Sequence, residues 1–157
     1  MRSWIPRVRV RLERDGNMNV PVGRIATPEA VAATMTAILQ DSPKEEFWVL
    51  CVGTRNYMNA GCQVSVGTLG ASLVHPREVF SIALLHQTTS IIICHNHPSG
   101  ETTPSLEDTS LTRRLASAGK LMGITLMDHV IVGDNPHAFY SYESQNPDAL
   151  NGIQGLT

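Results

Sequence analysis

Two short stretches hold the side chains best suited to chemistry: His95-Asn96-His97-Pro98 and Ser105-Leu106-Glu107-Asp108. On an extended backbone residues i and i+2 share a face, so His95 and His97 can meet one ion, while Cys94 and Asn96 point the other way. Asp108 adds a carboxylate from the first turn of the following helix, where the helix end also favours a negative group. Two neutral imidazoles and one carboxylate make a three-ligand zinc set with a fourth position open, the mark of a catalytic rather than a structural site. A metal-dependent hydrolase is therefore expected, ahead of a passive binding module. Ser105-x-x-Asp108 after Pro104 is also a capping box. The metal reading thus rests on the two stretches together, and Ser105 can start the helix and face the metal at once.

Such a site needs a proton acceptor for the attacking water. Glu46 heads the apolar run Phe47-Trp48-Val49-Leu50-Cys51-Val52 and is the expected general acid/base, with Glu45 as its rival. If Glu46 points inward, alternation puts Trp48 and Leu50 on its face.

The elements that must position these groups are legible in outline. Arg7-Val8-Arg9-Val10-Arg11-Leu12 alternates as a half-exposed strand would, and a short extended piece is expected near Val20-Pro21-Val22. Thr27-Pro28-Glu29 starts a helix with Val31, Met35, Ile38 and Leu39 on one side. A strand over 46–52 and a returning strand over 61–67 form a hairpin, and a second helix follows His75-Pro76. Ser90-Ile91-Ile92-Ile93-Cys94 reads as a central strand covered on both faces. A third helix carries Leu106, Leu111 and Leu115 and ends at Gly119 or Gly123; strands over 124–132 and 138–142 complete the pattern. Helices between strands argue an α/β sandwich around a mixed sheet. The expected division is a basic arm over 1–24, one domain over 25–143, and a flexible tail over 144–157.

With 157 residues and 42% hydrophobic side chains the chain can bury a real core. Net charge is −2, which gives no overall case for nucleic acid. The charge is uneven: six arginines against Glu13 and Asp15 leave residues 1–24 at +4 and the remainder at −6. Cys51, Cys62 and Cys94 cannot all pair and are expected as free thiols of a reducing compartment. No apolar run approaches spanning length and the start lacks a signal-peptide stretch, so the cytoplasm is expected and a membrane is not. A nucleobase deaminase would need His-x-Glu and Pro-Cys-x-x-Cys, and neither is present. Asp128-His129 is a candidate pair in which the carboxylate orients the imidazole.

A Glu ahead of an apolar strand, then His-x-His-Pro, then Ser-x-x-Asp resembles the signature of the JAB/MPN (JAMM) metalloprotease superfamily. Within it, His75-Pro76-Arg77-Glu78-Val79-Phe80, His95-Asn96-His97-Pro98-Ser99-Gly100, Thr103-Pro104-Ser105 through Asp108, and Asp128-His129 resemble the RadC group. The likeness runs from Thr27 to Tyr142. It implies a three-layer α/β/α sandwich with a mixed β-sheet, the cytidine-deaminase-like JAB/MPN fold. It implies Zn2+ at His95, His97 and Asp108, Glu46 as general acid/base, and Ser105 as oxyanion stabiliser in amide or isopeptide hydrolysis of a peptide or protein substrate. The group's association with DNA repair supplies an alternative, a DNA-associated protein, and a non-catalytic metal-binding module is the other. Full-length RadC proteins usually begin with a helix-hairpin-helix segment; the arginine-rich stretch here differs from it, which weakens the DNA alternative. Oligomeric state stays open, although an N-terminal strand could pair with a neighbouring chain.

Overall fold

The computed structural model describes residues 4–18, 27–39, 41–67 and 74–153. Elements run α1 (Pro28–Leu39), β1 (Glu46–Val52), β2 (Met58–Val66), α2 (Pro76–Leu85), β3 (Ser90–Asn96), α3 (Leu106–Met122), β4 (Thr125–Val132), β5 (Phe139–Ser141) and α4 (Tyr142–Gln145), then a 3-10 turn over Pro147–Asn151. The strands form one mixed sheet in the order β2-β1-β3-β4-β5. β3 and β4 are parallel and joined through α3, whereas β1/β2, β1/β3 and β4/β5 are antiparallel.

Alternation along the strands divides the core into two layers. Phe47, Val49, Ile91 and Ile93 pack under α2 and α3 with Val79, Phe80, Leu111 and Leu115. Leu50, Val52, Ile92, Cys94, Val130 and Val132 face α1 through Val31, Met35 and Leu39. β3 is therefore buried on both faces, as its unbroken apolar run requires. The result is the expected α/β/α sandwich. Ends are set by local chemistry: the Thr27 hydroxyl accepts from the Ala30 amide at the start of α1, and His75 caps α2 by accepting from Arg77 N–H at 3.1 Å. Gly123, at φ 69°, closes α3 in the left-handed conformation, so Gly119 stays inside that helix.

Two expectations give way. Residues 7–12 form no strand: this stretch is exposed, because alternation supplies a strand pattern but not a partner to pair with. The extended piece near 20–22 lies outside the described residues. The polar composition after Gln145 suggested a loose tail, yet the 3-10 turn over Pro147–Asn151 buries Ala149 and packs on α3. Lys120 Nζ donates to the Asn151 carbonyl at 2.7 Å, and Ile153 N–H donates to Ser117 Oγ at 2.7 Å. No helix among the described residues is long and apolar enough to cross a membrane.

Candidate metal centre

His95 continues the Ile91, Ile93 row of β3 on the α3 side of the sheet and is wholly buried. The chain leaves the sheet after Asn96, but His97 turns back beside it: the two Nε2 atoms are 3.0 Å apart. The Glu101 carbonyl fixes the His97 ring by accepting from its Nδ1 at 2.6 Å. Gly100 makes this return possible with φ 77°, and its N–H donates to the His97 carbonyl at 2.9 Å.

Asp108 reaches the same point from α3. Its Oδ1 lies 3.4 Å from His95 Nε2, and its Oδ2 lies 3.6 Å from His97 Nε2. The capping box is also present. Ser105 Oγ accepts from Asp108 N–H at 3.0 Å, while Asp108 Oδ2 accepts from Ser105 N–H and from Ser105 Oγ, each at 2.7 Å. Cap and site are the same residues, because the helix start that needs the cap is the one facing the histidines.

Glu46 does not face this cluster. Its carboxylate accepts from Ser42 Oγ at 2.6 Å, from Trp48 Nε1 at 3.0 Å and from Gln63 Nε2, on the α1 side of the sheet. Glu45 has the opposite parity, shared with Phe47 and Val49 of the α3-side core. Its Oε1 stands 3.9 Å from His95 Nε2 and 4.0 Å from His97 Nε2. Glu45, His95 and His97 offer ligand atoms all within 4.8 Å of one another, a group able to hold a metal ion. The choice between Glu45 and Glu46 depends on which sheet face α3 covers, and the apolar run 47–52 does not reveal that.

Asn96 explains how Glu45 is held. Its Oδ1 accepts from Glu46 N–H at 2.8 Å and its Nδ2 donates to the Lys44 carbonyl at 3.0 Å. The Glu45 carbonyl in turn accepts from Gly67 N–H at 2.8 Å. The residue between the two histidines thus grips the backbone on both sides of Glu45. Strand alternation alone places Asn96 on the face opposite the histidines and does not disclose this grip.

Asp128 does not orient His129 through its ring. Its carboxylate accepts from Ser141 Oγ at 2.7 Å, from the His129 backbone N–H at 2.7 Å and from Glu143 N–H at 2.9 Å. The His129 ring turns to the cluster, with Nε2 2.8 Å from His95 Nδ1 and Nδ1 2.7 Å from Thr112 Oγ1. A β-bulge makes this possible. Between the pairs Ile91–Leu126 and Ile92–Asp128 one residue of β4 is extra, so alternation resets and His129 falls on the side of His95.

Burial pushes the His95 imidazole down to about 4, so near neutral pH it is uncharged beside Asp108. His97 is raised, first by its hydrogen bond to Asp108. Burial alone would raise Asp108, but the hydrogen bond from His97 and the Ser105 donors hold it below the ordinary carboxylate range. The cluster opens into a cleft of about 390 Å³ lined by Glu45, His97, Pro98, Ser99, Ser105, Glu107 and Asp108.

A mixed sheet between helical layers, with two histidines and a helix-start aspartate converging at one end of its central strand, defines a JAB/MPN-type domain. Residues 25–147 match the model of the RadC-like JAB domain, and the chain belongs to that family. It is 46% identical over 112 residues to the UPF0758 protein of Staphylococcus epidermidis, covering 71% of this chain and 50% of the relative. It is 46% identical over 114 residues to the UPF0758 protein of Methanosarcina acetivorans, covering 73% and 50%. The chain spans about half the length of these curated relatives.

Proposed function

We propose that the protein is a zinc-dependent hydrolase of peptide or isopeptide bonds, with His95, His97 and Asp108 as ligands and Glu45, in place of Glu46, as general acid/base. One observation carries the reading: two imidazole nitrogens and the carboxylates of Asp108 and Glu45 converge on one point. His97 Nδ1–H donates to the Glu101 carbonyl, so in its neutral form the ring turns the Nε2 lone pair toward the same atom of His95, 3.0 Å away. Lone pairs and carboxylates at such distances repel one another unless a positive charge lies among them, either a proton on His97, whose affinity for one is raised, or a metal ion that displaces it.

The spacing also supports the division of labour. Ligand atoms about 2.0–2.1 Å from zinc at tetrahedral angles are about 3.3–3.4 Å apart. His95 Nε2 lies 3.0 Å from His97 Nε2 and 3.4 Å from Asp108 Oδ1, near such an edge, and the other Asp108 oxygen, Oδ2, is 3.6 Å from His97 Nε2. Glu45, at 3.9 and 4.0 Å, stands farther out on the cleft side. The thiol-free set of two imidazoles and one carboxylate suits zinc with an open position.

When bound, the ion supplies Lewis acidity, acidifying a coordinated water and polarising the scissile carbonyl. Glu45 takes the proton of the attacking water and returns it to the leaving nitrogen. Asn96 and Gly67 keep the Glu45 backbone fixed during that transfer. Ser105 lines the cleft; its hydroxyl, which donates to Asp108 Oδ2 here, turns to the oxyanion when substrate is bound, while its backbone N–H keeps hold of Asp108. Zinc-loaded protein incubated with a quenched-fluorescent peptide library and with Lys-ε-linked isopeptides tests the reading. Cleavage by the wild type and by E46Q, lost in E45Q, is expected; full activity in E45Q, or no cleavage by the wild type on either panel, would overturn it.

A further inference from the structure

Thr112 lies one turn after Asp108 on α3, is wholly buried and does not line the cleft. Its hydroxyl is 2.7 Å from the Asp108 carbonyl and 2.7 Å from His129 Nδ1. A carbonyl only accepts, so the single hydroxyl proton goes to Asp108. The hydroxyl must then accept from His129, which fixes the His129 proton on Nδ1. The His129 ring is stacked on Tyr142 at 5.1 Å and edge-on to Phe47 at 6.0 Å, and among the described residues no carboxylate is hydrogen-bonded to it. Its Nε2 is therefore bare and accepts from His95 Nδ1 at 2.8 Å. The His95 proton is consequently on Nδ1, and its lone pair faces His97 and Asp108.

We infer that Thr112 and His129 form a positioning relay that holds His95 in the one tautomer able to bind a metal ion. The inference rests on the proposed metal centre and adds two residues that never touch the ion. Partners of this kind orient a ligand ring and raise its basicity, and removing them typically lowers metal affinity by about 10–100-fold. Thr112→Val is nearly isosteric and removes only the hydroxyl. His129 then loses the acceptor that fixed its proton and can turn an N–H toward His95, forcing the His95 proton onto Nε2, where the ion binds.

The full chain is tested in two arms. In metal-free protein, nitrogen-15 NMR of the imidazoles reports the His95 tautomer. Protonation on Nδ1 in the wild type and in Thr112→Ser, lost or mixed in Thr112→Val and His129→Leu, is expected. In the second arm Zn2+ affinity is measured by competition with a chelating dye: Thr112→Val weakens it by about 10–100-fold and Thr112→Ser restores it to within a few-fold. Protonation of wild-type His95 on Nε2 overturns the relay even if no variant folds, and so does unchanged zinc affinity in both Thr112→Val and His129→Leu. If the wild type binds no zinc, the metal reading fails by itself, and the tautomer arm still decides the relay.

Discussion

Asn96→Ala is the perturbation whose consequence can be worked most fully. The amide makes two bonds, 2.8 Å from Glu46 N–H and 3.0 Å to the Lys44 carbonyl, and the side chain is 5% exposed. Each such bond contributes about 0.5–1.5 kcal/mol net, and Lys44 lies near solvent, so water can replace part of the loss. The sum is about 2 kcal/mol, which for a domain of this size lowers Tm by roughly 4–8 °C. Thermal and urea unfolding measure that loss. Hydrogen exchange adds position: the Glu46 amide should lose its protection, while amides at the centre of β3 keep theirs. Zinc content should be unchanged, since Asn96 touches no ligand atom, but hydrolysis should fall because a displacement of about 1 Å in a catalytic group can cost about 100-fold. An Asn96→Ala protein that melts with the wild type and keeps slow exchange at Glu46 would refute the clamp.

Two further outcomes follow from other parts of the fold. Burial raises Asp128 from 3.8 to about 6, so its contribution to stability is fully present below pH 3.8 and is lost as pH rises through 6. Asp128→Asn, which retains an acceptor for the amides of His129 and Glu143, should therefore gain about 2–3 kcal/mol over the wild type at pH 8 and nothing at pH 3.5, read from denaturation at the two values. Gly119→Ala should destabilise despite alanine's helix propensity, because a methyl there overlaps the Ile124 carbonyl oxygen against which α3 ends; a raised Tm would show that the helix end yields.

The parts of the site that follow period two or a cap spacing were legible in the chain. His95 and His97 share a face because a strand alternates, and Asp108 arrives because a capping box sets the start of α3. What depended on tertiary placement was not. Glu45 and Glu46 differ only in parity, and the parity that matters is set by α3 packing over Phe47 and Val49. His129 joins His95 through a bulge in β4, and nothing in Thr125-Leu126-Met127-Asp128 announces the extra residue. Asp128 and His129 are neighbours in sequence, but side chains of adjacent strand residues diverge, so the carboxylate went to Ser141 and Glu143. The arm over 7–12 had the pattern of a strand without a partner. The segment after Gln145 had the composition of a loop, yet Ala149, buried with Ile131 and Tyr142, and the hydrogen bonds with Lys120 and Ser117 of α3 hold it in place.

The most direct test of the central claim is the metal content of purified protein, compared across wild type, E45Q, H97A and D108A. The account predicts one zinc per chain in wild type and in E45Q, and little or none in H97A and D108A. Zinc retained by D108A and lost from E45Q would make Glu45 the third ligand and Asp108 only a helix cap, contradicting the assignment of both residues.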